Sequence, residues 1–154
     1  MKNAVYPSPM PYMWADTLEL AERAHLLRLL AWSAASILAG TALVAWLHVS
    51  SRRSELLKHF GIQTAAWGAV EALMVAWFWV SLAPRDLASA TRLDRILWLN
   101  IGLDAGYVLV GITLVITGIR LARRPGLVGA GMGVVIQGAA LALLDLVLAS
   151  QISR

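Results

Sequence analysis

The sequence predicts an all-α fold, a bundle of four transmembrane helices with a short amphipathic lead-in helix at its N-terminal end. Three observations carry this. Four apolar runs, Leu29 to Ser51, Phe60 to Pro84, Ile96 to Ile119 and Pro125 to Ser153, each match the ~20 residues a helix needs to cross a bilayer. The breaks between them hold Ser50-Ser51-Arg52-Arg53, Pro84-Arg85 and Arg123-Arg124-Pro125-Gly126, which are turn and charge signals. Within the runs the first has no Asp, Glu, Lys or Arg, and the others carry one each: Glu71, Asp104 and Asp145.

Composition limits the alternatives. A chain of 154 residues, 59% hydrophobic and 14% charged, has room for one membrane domain and no separate soluble one. A soluble bundle would need a polar face on every helix, and Ala72 to Leu82 or Val108 to Ile116 supply almost none. With no cysteine, disulfides and thiolate chemistry are excluded. The net charge of +4 comes from Lys and Arg at helix ends. That pattern suits lipid headgroups and orientation, not nucleic acid.

Residues 1–15 read as irregular, because Pro7, Pro9 and Pro11 punctuate them, and no apolar region there marks a cleavable signal. Residues 16–154 read as a single membrane domain. Asp16 with Glu19 is a capping-box pattern, so the lead-in helix is expected from Asp16. Spans are expected at 26–48, 58–82, 95–122 and 126–150. Pro84 closes the second, Thr91 with Asp94 caps the third, and Pro125-Gly126 makes the turn into the fourth. Basic residues divide almost evenly between the two sides. Arg52, Arg53, Lys58, Arg120, Arg123 and Arg124, however, crowd two short loops, which favours those loops in the cytoplasm and both termini outside. The small size fits a bacterial inner membrane. Trp46 at one interface, and Trp14, Trp77, Trp79 and Trp98 at the other, read as interfacial anchors.

An internal repeat is visible. Trp67-Gly68-Ala69-Val70-Glu71-Ala72-Leu73 aligns with Gln137-Gly138-Ala139-Ala140-Leu141-Ala142-Leu143, and Ser33, Ser36 and Gly40 fall opposite Asp104, Tyr107 and Gly111. Two tandem helix hairpins would then be related by a pseudo-twofold axis along the membrane normal.

The polar residues form stripes. Asn100, Asp104, Tyr107, Gly111 and Gly118 share one face of the third span, and Gln63, Trp67, Glu71, Met74 and Phe78 one face of the second. The fourth span places Gln137 near Asp145, and the first contributes Ser33. Amides and hydroxyls at such positions often serve only as interhelical hydrogen bonds, worth roughly 0.6 kcal/mol each. A charged residue at a helix centre costs roughly 2.5–3.5 kcal/mol on insertion scales, so three carboxyls ask for more than gluing. The expectation is a cavity open toward the terminal side, with the acids either protonated or hydrogen-bonded to Asn100, Tyr107 and Gln137. Gly102 with Gly106, and Gly129 with Gly133, are small-xxx-small pairs that allow close backbone approach. His25, His48 and His59 are too scattered for a haem or metal site in the bundle, and no nucleophile–histidine pair lies at membrane depth. An enzyme is therefore not expected.

Leu99-Asn100-Ile101-Gly102-Leu103-Asp104-Ala105-Gly106-Tyr107, then Gln137-Gly138 leading to Asp145, resemble a bacterial family of small four-helix membrane proteins of uncharacterised function. Gly61-Ile62-Gln63-Thr64-Ala65-Ala66-Trp67-Gly68 is similar to that family's second span. The likeness covers roughly residues 55–150. It implies that Gln63, Trp67, Asn100, Asp104, Tyr107, Gln137 and Asp145 act together, and supplies no activity.

Two functional expectations remain open. One is an intramembrane pocket lined by Glu71, Asp104 and Asp145 with Ser33, Gln63, Trp67, Asn100, Tyr107 and Gln137, taking a small polar or cationic solute or relaying protons. The other is a non-catalytic accessory or assembly subunit of a larger membrane complex, whereas a monomer or homodimer would fit the pocket. The sequence names no cofactor.

Overall fold

The computed structural model describes residues 10–121 and 123–152, with side chains described from Trp14 onward. They form four helices: α1 (Met10–Val49), α2 (Glu55–Val80), α3 (Leu87–Arg120) and α4 (Pro125–Ile152). The all-α bundle is as predicted, but several boundaries move.

The lead-in helix and first span are one uninterrupted helix of 40 residues that begins at Met10, not Asp16. Pro11 falls in its first turn, the one place where proline costs no hydrogen bond. The irregular segment expected over residues 1–15 is thus helical from Met10, and residues 1–9 lie outside the described residues. Asp16 caps nothing, and Glu19 instead holds Arg23 one turn on at 2.7 Å. Its inner stripe of Leu18, Glu22, His25 and Leu26 is buried in the bundle.

After the Ser50–Ser54 turn, where Ser51 takes a left-handed φ of 53°, Ser54 caps α2 by accepting from the Leu57 amide. Asp86, not Thr91 or Asp94, caps α3: its carboxylate accepts from the Ser89 amide at 2.8 Å and the Ser89 hydroxyl at 2.6 Å. It is the first capping residue after Pro84, and Thr91 already bonds back to Leu87 inside the helix. The Ser89 hydrogen bonds hold the Asp86 carboxyl below its ordinary value of 3.8. Its stabilising effect is therefore full above that value and is lost as pH falls through the lowered one. Acidification should speed hydrogen exchange at the Ser89 and Ala90 amides before it disturbs the helix centres. Arg123, at φ 46°, and the Arg124 amide bonded to the Gly118 carbonyl turn the chain into Pro125.

α4 is the central helix, packed against all three others. Its glycines meet different neighbours: Gly129 and Gly133 face Leu56 and Gln63 of α2, while Gly131 and Gly138 face Gly111 and Asp104 of α3. Gln137 turns to α1. The predicted Gly129/Gly133 pair thus joins helices, but a Cβ on Gly102 or Gly106 would meet nothing within 4 Å, so that pair faces outward.

The hairpin repeat reappears as contacts. In the first hairpin Gly40 meets Gly61, and Gly68 meets the Ser33 carbonyl. About 70 residues on, Gly111 meets Gly131 and Gly138 meets the Asp104 carbonyl. The two crossings use equivalent residues.

α1 (from Trp14), α3 and α4 are long and apolar enough to cross a membrane. α2, whose apolar run is interrupted by Gln63 and Glu71, is not among them, though its 26 residues would reach about 39 Å. Polarity runs inside out. Glu22, His25, Ser33, Ser36, Thr64, Glu71, Asp104, Gln137 and Asp145 are buried, while Leu38, Leu73, Trp77, Leu109 and Leu143 are exposed. That distribution suits a hydrocarbon surround.

Candidate functional site

Burial brings the three acids inside. Glu71, Asp104 and Asp145 are 4%, 5% and 7% exposed, so α2, α3 and α4 each direct the acid of their apolar run inward. The sequence reason is periodicity, since Glu71 falls on the buried stripe with Gly61, Thr64, Gly68 and Val75, and Asp104 with Leu97, Gly111 and Gly118. Glu71 and Asp104 lie close enough to feel each other's charge, as do Asp104 and Asp145.

Their partners are not those the stripes suggested. Gln137 is 1% exposed, accepts from Trp32 Nε1 at 2.6 Å and donates to Ser36 Oγ at 3.0 Å. Its amide is thereby committed to α1 and not to an acid. Tyr107 packs its ring on Trp67, centroids 5.2 Å apart at 62°. Asp145 faces His25, Nε2 to Oδ1 3.3 Å. Among the described residues, both carboxyl oxygens of Glu71 are buried without a hydrogen-bond partner, as are Thr64 Oγ1, His25 Nδ1 and Arg28 NH1. Ser33 is fully buried and bonds its own helix at the Leu30 carbonyl. Gln63 lies against Gly133, and Asn100 is half-buried one turn from Asp104.

The terminal side, where an opening was expected, is bridged. Arg85, from the turn between α2 and α3, donates two hydrogen bonds to Glu22 of α1, at 2.5 and 2.7 Å. These bonds hold the Arg85 guanidinium above its ordinary range, against the opposing effect of burial. Two surface grooves, one of about 310 Å³ lined by Ile112, Val115, Ile116, Met132, Val135 and Ile136, are apolar and include none of the predicted site residues. Arg85→Ala leaves a buried carboxylate without its bidentate partner and should cost about 2 kcal/mol. Chemical unfolding of wild type, Arg85→Ala and Arg85→Ala/Glu22→Gln would check this, the double variant recovering part of the loss.

Glu22, His25, Trp32, Ser36, Thr64 and Arg85 were missed as members of this interior. Their signal was faint: Glu22 and His25 continue the helical stripe of Leu18 and Leu26, a pattern also expected of a surface helix. Among the described residues, no group of three or more His, Asp or Glu is placed to hold a metal ion.

Acids and amides inside, hydrocarbon side chains outside and three spanning-length apolar helices define a polytopic α-helical membrane protein. The chain belongs to DUF6992, a family of unknown function, whose model matches residues 28–146. That match takes in α2 and α3 whole, most of α4 and the second half of α1 from Arg28, so it reaches into the first span that lay outside the resemblance seen in the sequence. No curated protein and no solved structure matches the chain.

Proposed function

We propose that the chain spans the membrane with all four helices and that its interior acids bind, or pass, a small polar or cationic solute or protons. The observation that carries this reading is Glu71. Its two carboxyl oxygens are buried without a partner among the described residues, within electrostatic range of Asp104. A polar group left so costs stability unless something else satisfies it, and intramembrane carboxyls without a structural partner are the usual mark of a solute or proton path. Asp145, Gln137, Ser33 and Asn100 complete the polar interior, and the role is one of binding or transport without bond-making chemistry. The short turns at Arg52-Arg53 and Arg123-Arg124 face the cytoplasm in this reading, with both termini outside a bacterial inner membrane.

The test is thermal stabilisation of the detergent-purified protein by sodium, potassium, ammonium and small amines, together with proton flux in proteoliposomes. Glu71→Gln with Asp104→Asn should remove the cation- or proton-dependent signal. If the double variant keeps every such response, the reading fails.

The outward Gly102/Gly106 face favours a second reading, an assembly subunit docking another helix there. Stoichiometric co-purification of a partner, lost in Gly102→Leu, would support it over the first.

A further inference from the structure

The two hairpins are equivalent at their crossings but not at the seams between them. The α1–α4 seam is closed by the Gln137 hydrogen bonds to Ser36 and Trp32, and by His25 against Asp145. In the repeat, Gln137 corresponds to Trp67 and Ser36 to Tyr107. The counterpart of a hydrogen-bonded seam is therefore the α2–α3 seam, where those positions hold a pair of aromatic rings. Among the described residues no Cα of α3 comes within 8 Å of one in α2, so side chains bridge this seam. Glu71 lies one turn from Trp67 on α2, and Asp104 one turn from Tyr107 on α3.

We infer that the α2–α3 seam is a binding slot for a lipophilic organic ammonium, held by the Glu71 and Asp104 carboxyls and the rings of Trp67 and Tyr107. The inference rests on the acid-site reading above and names its ligand class. The carboxyls call for a cation. The rings select an organic one, because an ammonium with alkyl groups gains from an aromatic face and loses little hydration, whereas a hydrated metal ion must give up its water. In the observed edge-to-face pair, the electropositive edge of one ring already rests against the electronegative face of the other. A cation can take that place once the rings part. Tyr107 is 38% exposed at the outer rim, so the slot is reached from the side, where an amphipathic amine partitions. Arg28 and His25, which among the described residues keep buried nitrogens without a hydrogen-bond partner, belong to α1, which does not form this seam.

The experiment uses the full chain in phospholipid nanodiscs and tetrapropylammonium as probe, with binding read by calorimetry beside sodium and ammonium chloride. Saturable tetrapropylammonium binding is expected, abolished by Glu71→Gln/Asp104→Asn. Trp67→Leu or Tyr107→Leu should weaken it about tenfold, and Trp67→Phe should retain most of it. Trp98→Leu, which removes an outward ring on α3, should leave it unchanged. Near-ultraviolet circular dichroism would confirm that each variant is folded, and either ring variant alone suffices for the comparison. Equal affinity in folded Trp67→Leu or Tyr107→Leu overturns the slot. So does absence of tetrapropylammonium binding while sodium, ammonium or protons still give an acid-dependent signal, an outcome that leaves the acid-site reading standing. Absence of every acid-dependent signal overturns both.

Discussion

Gly129→Ala is expected to unfold or rearrange the bundle, at a cost of about 3 kcal/mol or more. A Cβ at this position would run into the carbonyl oxygen of Leu56 and lie 2.8 Å from its carbon. Both are backbone atoms of α2, so no rotamer change relieves the clash and the two helices must separate. Their separation would also disturb Gln63 against Gly133 one turn further in. Gly102→Ala is the matched control. Nothing lies within 4 Å of a Cβ there, so the change should be neutral, or stabilising by up to about 1 kcal/mol through helix propensity. Reversible unfolding in mixed micelles gives both values. Similar behaviour of the two variants would contradict the helix contacts described here.

Glu71→Met is expected to stabilise the protein, by about 2 kcal/mol, while removing its acid-dependent binding. The sign is the informative part. A carboxyl serving as structural glue loses stability when replaced, because its partners are orphaned. Glu71 orphans nothing, since neither oxygen has a partner, and methionine fills a similar volume with flexible apolar atoms. Asp145→Met should do the opposite, because it leaves His25 buried without the carboxylate it faces at 3.3 Å. The same unfolding assay resolves the pair. A destabilised Glu71→Met would make that residue part of the scaffold. Stability sacrificed at one residue for a binding role is a familiar exchange in proteins.

The helices were legible because apolar length and helical period are local properties of the chain. Asp104, Gly111 and Gly118 of the stripe read from α3 are buried in space, with Leu97 joining them, while Tyr107 of the same stripe is turned to the outside. The inward acids were legible for the same reason. Partner choice was not. Gln137 hydrogen-bonds α1 instead of an acid because α4, the most glycine-rich helix, sits at the centre and brings Trp32 and Ser36 within reach, which no spacing on α4 encodes. Glu22 and Arg85 meet across 63 residues, and each looked like an ordinary surface charge in its own segment. The glycine pairs show the limit plainly. Gly102/Gly106 and Gly129/Gly133 have identical spacing, yet one pair faces outward and the other accepts a neighbouring backbone. Only the choice of neighbours separates them.

α3 comes within 8 Å, backbone to backbone, of α4 alone among the described helices. Chains emerge from the ribosome N-terminus first, so α1 and α2 can close their hairpin while α3 has only side-chain contacts such as Tyr107 on Trp67 to hold it, and its backbone docking must wait for the last helix to be made. Premature termination before Pro125 should therefore leave a correctly zipped first half beside a stray third segment, the species that membrane quality-control proteases would be expected to clear.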